Sequence, residues 1–131
     1  MTFNFEKLEV WKLAMELVDR VYDVAKKYPD EEKFGLAQQL KKSVTSIPLN
    51  IAEGSIRGKK EFSQFIRIAL GSLVETVTNL KIGLMRGFIK HKDHDENIPL
   101  IEELYFKLLA LHKSLTKKDS GSSDVSNNLK G

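Results

Sequence analysis

Gln39-Leu40-Lys41-Lys42-Ser43-Val44-Thr45-Ser46-Ile47-Pro48-Leu49-Asn50-Ile51-Ala52-Glu53-Gly54 is the stretch that decides the fold. Its apolar residues Leu40, Val44, Ile47 and Ile51, with Ala37 just before them, recur at alternating steps of three and four. That is the period of one helix face, not of a strand. A second stripe runs Gln39, Lys42, Ser46, Asn50, Glu53 and Arg57. It is polar and lies roughly 130° from the first at about 100° per residue. Pro48 has no N–H, and its ring crowds the carbonyl of Val44. In a regular helix interior that costs about 3 kcal/mol or more, so the proline predicts a bend or an end. Gly54 and Gly58 suit a cap and turn closing this helix.

Three further helical patterns surround this one. The first is expected over residues 5–28, stopping before Pro29. Its apolar side chains form two seams, one of Leu8, Trp11, Met15, Val18, Tyr22 and Ala25, the other of Val10, Leu13, Leu17, Val21 and Val24. Together they cover roughly 220° of the wheel, well beyond the ~100° stripe that a bundle helix buries. The excess predicts a subunit interface, because monomers rarely expose large apolar patches. The second helix is expected over 31–56, with Asp30 as its N-cap and Glu31 and Glu32 opposing the dipole. The third is expected over 59–89, with Phe62, Phe65, Ile66, Ala69, Leu73, Val77, Leu80 and Leu84 on one side. Gly71, Ser72 and Gly83 are small enough for close helix approach. Residues 90–96 read as a polar loop. The fourth helix is expected over 98–116, with Pro99 in its first turn.

Four amphipathic helices with short connections predict an all-α protein, a left-handed up-and-down four-helix bundle spanning residues 1–118. Residues 119–131 are polar and predict a flexible tail. The chain has 131 residues and no cysteine, which excludes a disulfide framework and thiolate chemistry. No basic segment followed by an apolar run opens it, and the longest charge-free stretch, 43–52, is far short of the roughly 20 residues of a membrane span. The expectation is a cytoplasmic protein with no membrane partner. The net charge of +3 is uneven: residues 31–90 carry ten Lys/Arg against five Asp/Glu. A basic middle favours an acidic partner.

Four blocks resemble one family in order. They are Phe5-x-x-Leu8-x-Val10-Trp11; Pro29 with Glu32-Lys33-Phe34-Gly35-Leu36 and Gln39-Leu40-Lys41-Lys42; Ser46-Ile-Pro-x-Asn-Ile-Ala-Glu-Gly54; and Lys60-Glu61-Phe62 with Ile68-Ala69-Leu70-Gly71-Ser72-x-x-Glu75. Over residues 5–90 the chain resembles the four-helix-bundle proteins encoded in 23S ribosomal RNA intervening sequences, relatives of the accessory proteins of diversity-generating retroelements. Lys41-Lys42 stands where arginine is expected; the charge survives but bidentate phosphate geometry does not. The resemblance implies a homopentameric ring. It also implies a role beside nucleic acid, RNA rather than DNA, with a reverse transcriptase or ribosomal component as a further partner.

The residues themselves offer few enzymatic constellations. Arg86-Gly-Phe-Ile-Lys-His91 fits the R-x4-H spacing of HEPN ribonucleases, where arginine steadies a phosphorane and histidine transfers a proton. Gly87, however, replaces the polar residue those enzymes carry after the arginine. His91 and His94, with Asp93, Asp95 and Glu96, lack the spacing of a strong metal site. Glu53 and Glu75 read as helix or subunit ties, and Gly54-x-x-x-Gly58 lacks the P-loop pattern. The expectation is a non-enzyme without metal or cofactor. Lys41, Lys42, Arg57, Lys59, Lys60 and Arg67 are the candidate phosphate contacts. The competing expectation is a structural or protein–protein adaptor with no nucleic acid.

Overall fold

The computed structural model describes residues 1–117; the tail expected over 119–131 lies outside them. A 3-10 turn, Asn4–Lys7, leads into α1 (Glu9–Ala25). A second 3-10 turn, Asp30–Glu32, precedes α2 (Leu36–Ser55), followed by α3 (Lys59–Met85), the short α4 (His91–Asp95) and α5 (Ile98–Thr116). No strand occurs among the described residues. Around the bundle, α2 packs on α1 and α3, while α5 packs on α3 and more loosely on α1.

The core stripe of α2 lies where its spacing predicts: Leu40, Val44, Ile47 and Ile51 are fully buried. Pro48 neither ends nor interrupts this helix, which runs on to Ser55 with the proline ring itself buried. The start of α2 differs from expectation. Asp30 sits in the 3-10 turn and caps nothing; Gly35 is the N-cap, and the Glu32 carboxylate accepts the Leu36 N–H at 3.0 Å. Glu32 reaches back over the chain turn, doing for the free N–H what a local cap would do.

Gly54 is also not a cap. It is helical and buried, and a Cβ on it would lie 2.6 Å from Phe65 Cβ. It lets α2 and α3 touch at their crossing. Gly87 is the residue that ends a helix, with φ +77. Gly87 N–H donates to Leu84 O at 3.1 Å and Phe88 N–H to Gly83 O at 2.8 Å, the paired bonds that close a helix on a left-handed residue.

Between α2 and α3 runs a seam of hydroxyls and amides that the apolar periodicity does not announce. Ser43 Oγ meets Thr76 Oγ1 at 2.8 Å, and Ser72 Oγ donates to Ser46 Oγ at 2.8 Å. Asn79 Nδ2 donates to the Leu36 carbonyl at 3.0 Å, and Tyr28 Oη donates to Asn79 Oδ1 at 2.9 Å. Burial pushes the Tyr28 phenol up to about 12. The seam satisfies its own polar groups, which is the condition for burying them without penalty.

In α1 the two predicted seams separate. Val10, Ala14, Leu17, Val21 and Val24 face the core, while Met15 and Tyr22 are exposed and Trp11 and Val18 half-buried. α3 is long and apolar enough to cross a membrane by length and composition alone, at a mean hydropathy of 1.2. Here one side packs on α2 and α5, leaving Ile68, Val74 and Met85 exposed.

Candidate nucleic-acid interface

The six candidate cations fall into two groups. Arg57 lies in the α2–α3 turn, with Lys59 and Lys60 in the first turn of α3. Arg57 Nη2 contacts Glu53 at 2.5 Å and Nη1 contacts Glu61 at 3.5 Å, and its guanidinium lies 5.3 Å from the Phe65 ring centroid. The Glu53 hydrogen bond raises its pKa still further, so Arg57 is a fixed charge already committed to two carboxylates. Lys59 and Lys60 are exposed, as is Arg67 two turns along α3. Lys41 and Lys42 are exposed near the start of α2, roughly 22 Å from Arg57 at about 1.5 Å per residue. Lys41 Nζ lies 5.5 Å from the Tyr22 ring centroid, joining α2 to α1.

The polar stripe of α2 is therefore not one surface. Its ends are exposed, but Ser46 and Asn50 are half-buried. Asn50 Nδ2 donates to the Ser46 carbonyl at 2.8 Å, and Ser46 turns into the seam with Ser72. These motif residues tie α2 to itself and to α3.

Arg86 caps the C-terminus of α3, and His91 begins α4; both are exposed. Gly87 between them serves the helix end described above. Residues 91–95 form a helix where a polar loop is expected, and Asp93, His94 and Asn97 are buried under it. His94 Nδ1 lies 2.8 Å from Asp95 and Nε2 lies 3.3 Å from Lys81 Nζ. Among the described residues no three His, Asp or Glu side chains converge as a metal site.

Asp93 ties this segment to α1. It accepts a very short hydrogen bond from Lys27 and one at 3.0 Å from the Lys90 N–H. Those two bonds, Lys27 first, hold its carboxyl below the usual range against the opposing cost of burial. A depressed carboxyl stabilises the fold above its ordinary value near 3.8, and that contribution is lost as pH falls through the lower folded value. Urea midpoints measured from pH 7 to pH 2 should fall less steeply below pH ~4 in Asp93→Asn than in the wild type. Identical acid limbs would show that Asp93 carries none of the acid sensitivity.

The family model for 23S rRNA-intervening sequence proteins matches residues 6–110, which span the α2–α3 seam and all five helices but the last turns of α5. The chain belongs to that family. No curated protein matches it. A solved structure of a protein of unknown function from the S23 ribosomal protein family of Bacteroides thetaiotaomicron is similar, with TM-score 0.73 and 24% identity. The match covers 79% of this chain and 98% of that one. At that identity the likeness supports the intervening-sequence bundle as a fold.

Proposed function

We propose that this intervening-sequence protein is a non-enzymatic, oligomeric binder of nucleic acid, RNA in preference to DNA. The observation that carries the reading is the exposed basic group at the start of α3, with Lys60 and Arg67 among it. The family's name, which refers to ribosomal RNA, favours RNA. Clustered exposed cations bind phosphates largely without sequence preference, by releasing counterions.

The oligomer is supported by two apolar faces. Trp11, Met15 and Tyr22 form a ridge on the side of α1 next to α2, where Lys41 lies over Tyr22. Val74, Val77, Tyr105 and Phe106 line a groove between α3 and α5, with Phe106 64% exposed. Given the order of helices around the bundle, ridge and groove lie on opposite sides. Two different patches favour a head-to-tail contact that closes into a ring, whereas a two-fold dimer would use one patch twice. The ring of five is the number that the family resemblance implies. Light scattering at micromolar concentration should give a multiple of 14.9 kDa; a clean monomer would end this part of the proposal.

Binding is tested by titrating labelled single-stranded and duplex RNA and DNA at two salt concentrations. The affinity should fall with salt by about 0.7–0.9 log units per phosphate contact for each tenfold rise. Absence of binding at low salt would favour the adaptor. RNA cleavage that disappears in Arg86→Ala would replace the binder with a nuclease.

A further inference from the structure

Antiparallel helices bring distant residues to one level. Lys107 of α5 pairs with Glu9 of α1, and Arg20 of α1 reaches the Glu96 carbonyl at 3.5 Å. The middle of α5 therefore lies beside the start of α1, and the last turns of α5 run further towards that end of the bundle. The α3–α5 groove is lined by residues from Leu73 to Lys81 on one wall and from Ile101 to Phe106 on the other. About ten residues away from its middle, in opposite chain directions, come Arg67 on α3 and Lys113 on α5; at equal rise per residue they are level. Lys60 and Lys117 follow towards the tip.

These four share the groove's faces as well as its end. Lys60 and Arg67 precede the wall residues Val74 and Lys81 at steps of seven, and seven residues return a helix to nearly the same face. On α5, Lys113 and Lys117 continue the line of Phe106 and Leu109 at steps of three and four. All four cations are exposed. Glu53 and Glu61 are engaged with Arg57, and Glu103 with Lys107 at 2.9 Å, while Glu102 lines the groove itself. Alternating helix directions set the backbone dipoles against one another at each end, so the local field comes from side chains. Lys41 and Lys42 lie towards the other end, where the turn before α2 carries Asp30, Glu31 and Glu32.

We infer that nucleic-acid phosphates dock on the end of the bundle where α3 begins and α5 terminates, on Lys60, Arg67, Lys113 and Lys117; this rests on the function proposed above. Lys41 and Lys42 are outside that site. In a ring with cyclic symmetry every copy presents this end on the same face, so the sites act together.

The test compares two variants with equal change in net charge. Replacing Lys60, Arg67, Lys113 and Lys117 by glutamate should weaken binding of a labelled single-stranded RNA by roughly 100-fold or more at ~50 mM salt and flatten its salt dependence. Replacing Lys26, Lys33, Lys41 and Lys42 by glutamate should cost less than about tenfold, through net charge alone. Circular dichroism and light scattering check that fold and size are kept; glutamine replacements at the same positions are read by the same criterion if the glutamate chain changes either. Equal losses, or a larger loss in the second variant, would overturn the end site while leaving a nucleic-acid binder. A wild-type protein that does not bind at low salt would overturn both.

Discussion

Gly54→Leu should destabilise the protein by about 1–2 kcal/mol, although it replaces a poor helix former by a good one. Glycine in a helix interior costs about 1 kcal/mol relative to alanine, so propensity alone predicts a gain. The crossing decides otherwise. A Cβ at Gly54 meets Phe65 Cβ at 2.6 Å and a Phe62 ring carbon at 2.8 Å. The first of these is anchored to the α3 backbone and cannot swing away, so the helices must separate. Overpacking of this kind typically costs about 1–3 kcal/mol, and a side chain as large as leucine falls at the upper end, where the cost exceeds the propensity gain. Gly71 is the internal control. It lies mid-helix in α3 with nothing within 4 Å of its Cβ position, and Gly71→Ala should stabilise by about 0.5–1 kcal/mol. Urea unfolding of both variants measures the contrast. Equal stability of Gly54→Leu and wild type would mean that α2 and α3 do not cross there.

Asn79→Leu is expected to cost about 2–3 kcal/mol, the sum of two lost hydrogen bonds and the groups they leave behind. Asn79 is 5% exposed and joins three elements: Tyr28 after α1, the first turn of α2 through the Leu36 carbonyl, and its own helix α3. Leucine conserves size and removes both bonds. The Tyr28 hydroxyl retains the Asn79 main-chain oxygen at 3.2 Å, which limits the loss. Amide exchange should quicken most in the first turns of α2, where the Asn79 anchor acts. Uniform acceleration across the chain would instead assign Asn79 to global stability alone.

The bundle was legible because burial follows spacing. Ala37, Leu40, Val44, Ile47 and Ile51 declare a helix face without any knowledge of their neighbours. Gly54 was not, because a glycine near a helix end serves equally as a cap or as a crossing point, and only the partner helix distinguishes them. The seam escaped for a related reason: Ser43, Ser46, Ser72, Thr76 and Asn79 are polar, and polarity points to solvent until a matching polar group is placed opposite. Residues 90–96 lack an apolar period, yet Asp93 and His94 are buried where Lys27 and Lys81 come to meet them, and Asn97 bonds back to the Asp93 carbonyl. Of the site, single cations could be read, but not their grouping. Arg67 and Lys113 are 46 positions apart in the chain, and only antiparallel packing sets them level.

Trp11 is the chain's single tryptophan. It lies edge-on to Phe5 with ring centroids 5.3 Å apart, half-buried on the outer ridge of α1 instead of in the core. The intrinsic ultraviolet emission of this protein is therefore a report from its flank. In the assembly proposed above, covering that flank by a neighbouring copy would dry the indole and move its emission to the blue, while the interior of each bundle is untouched. A dilution series followed at one excitation wavelength reads assembly directly, without a label or a mutation, and separates dissociation from unfolding by the order in which fluorescence and helical ellipticity change.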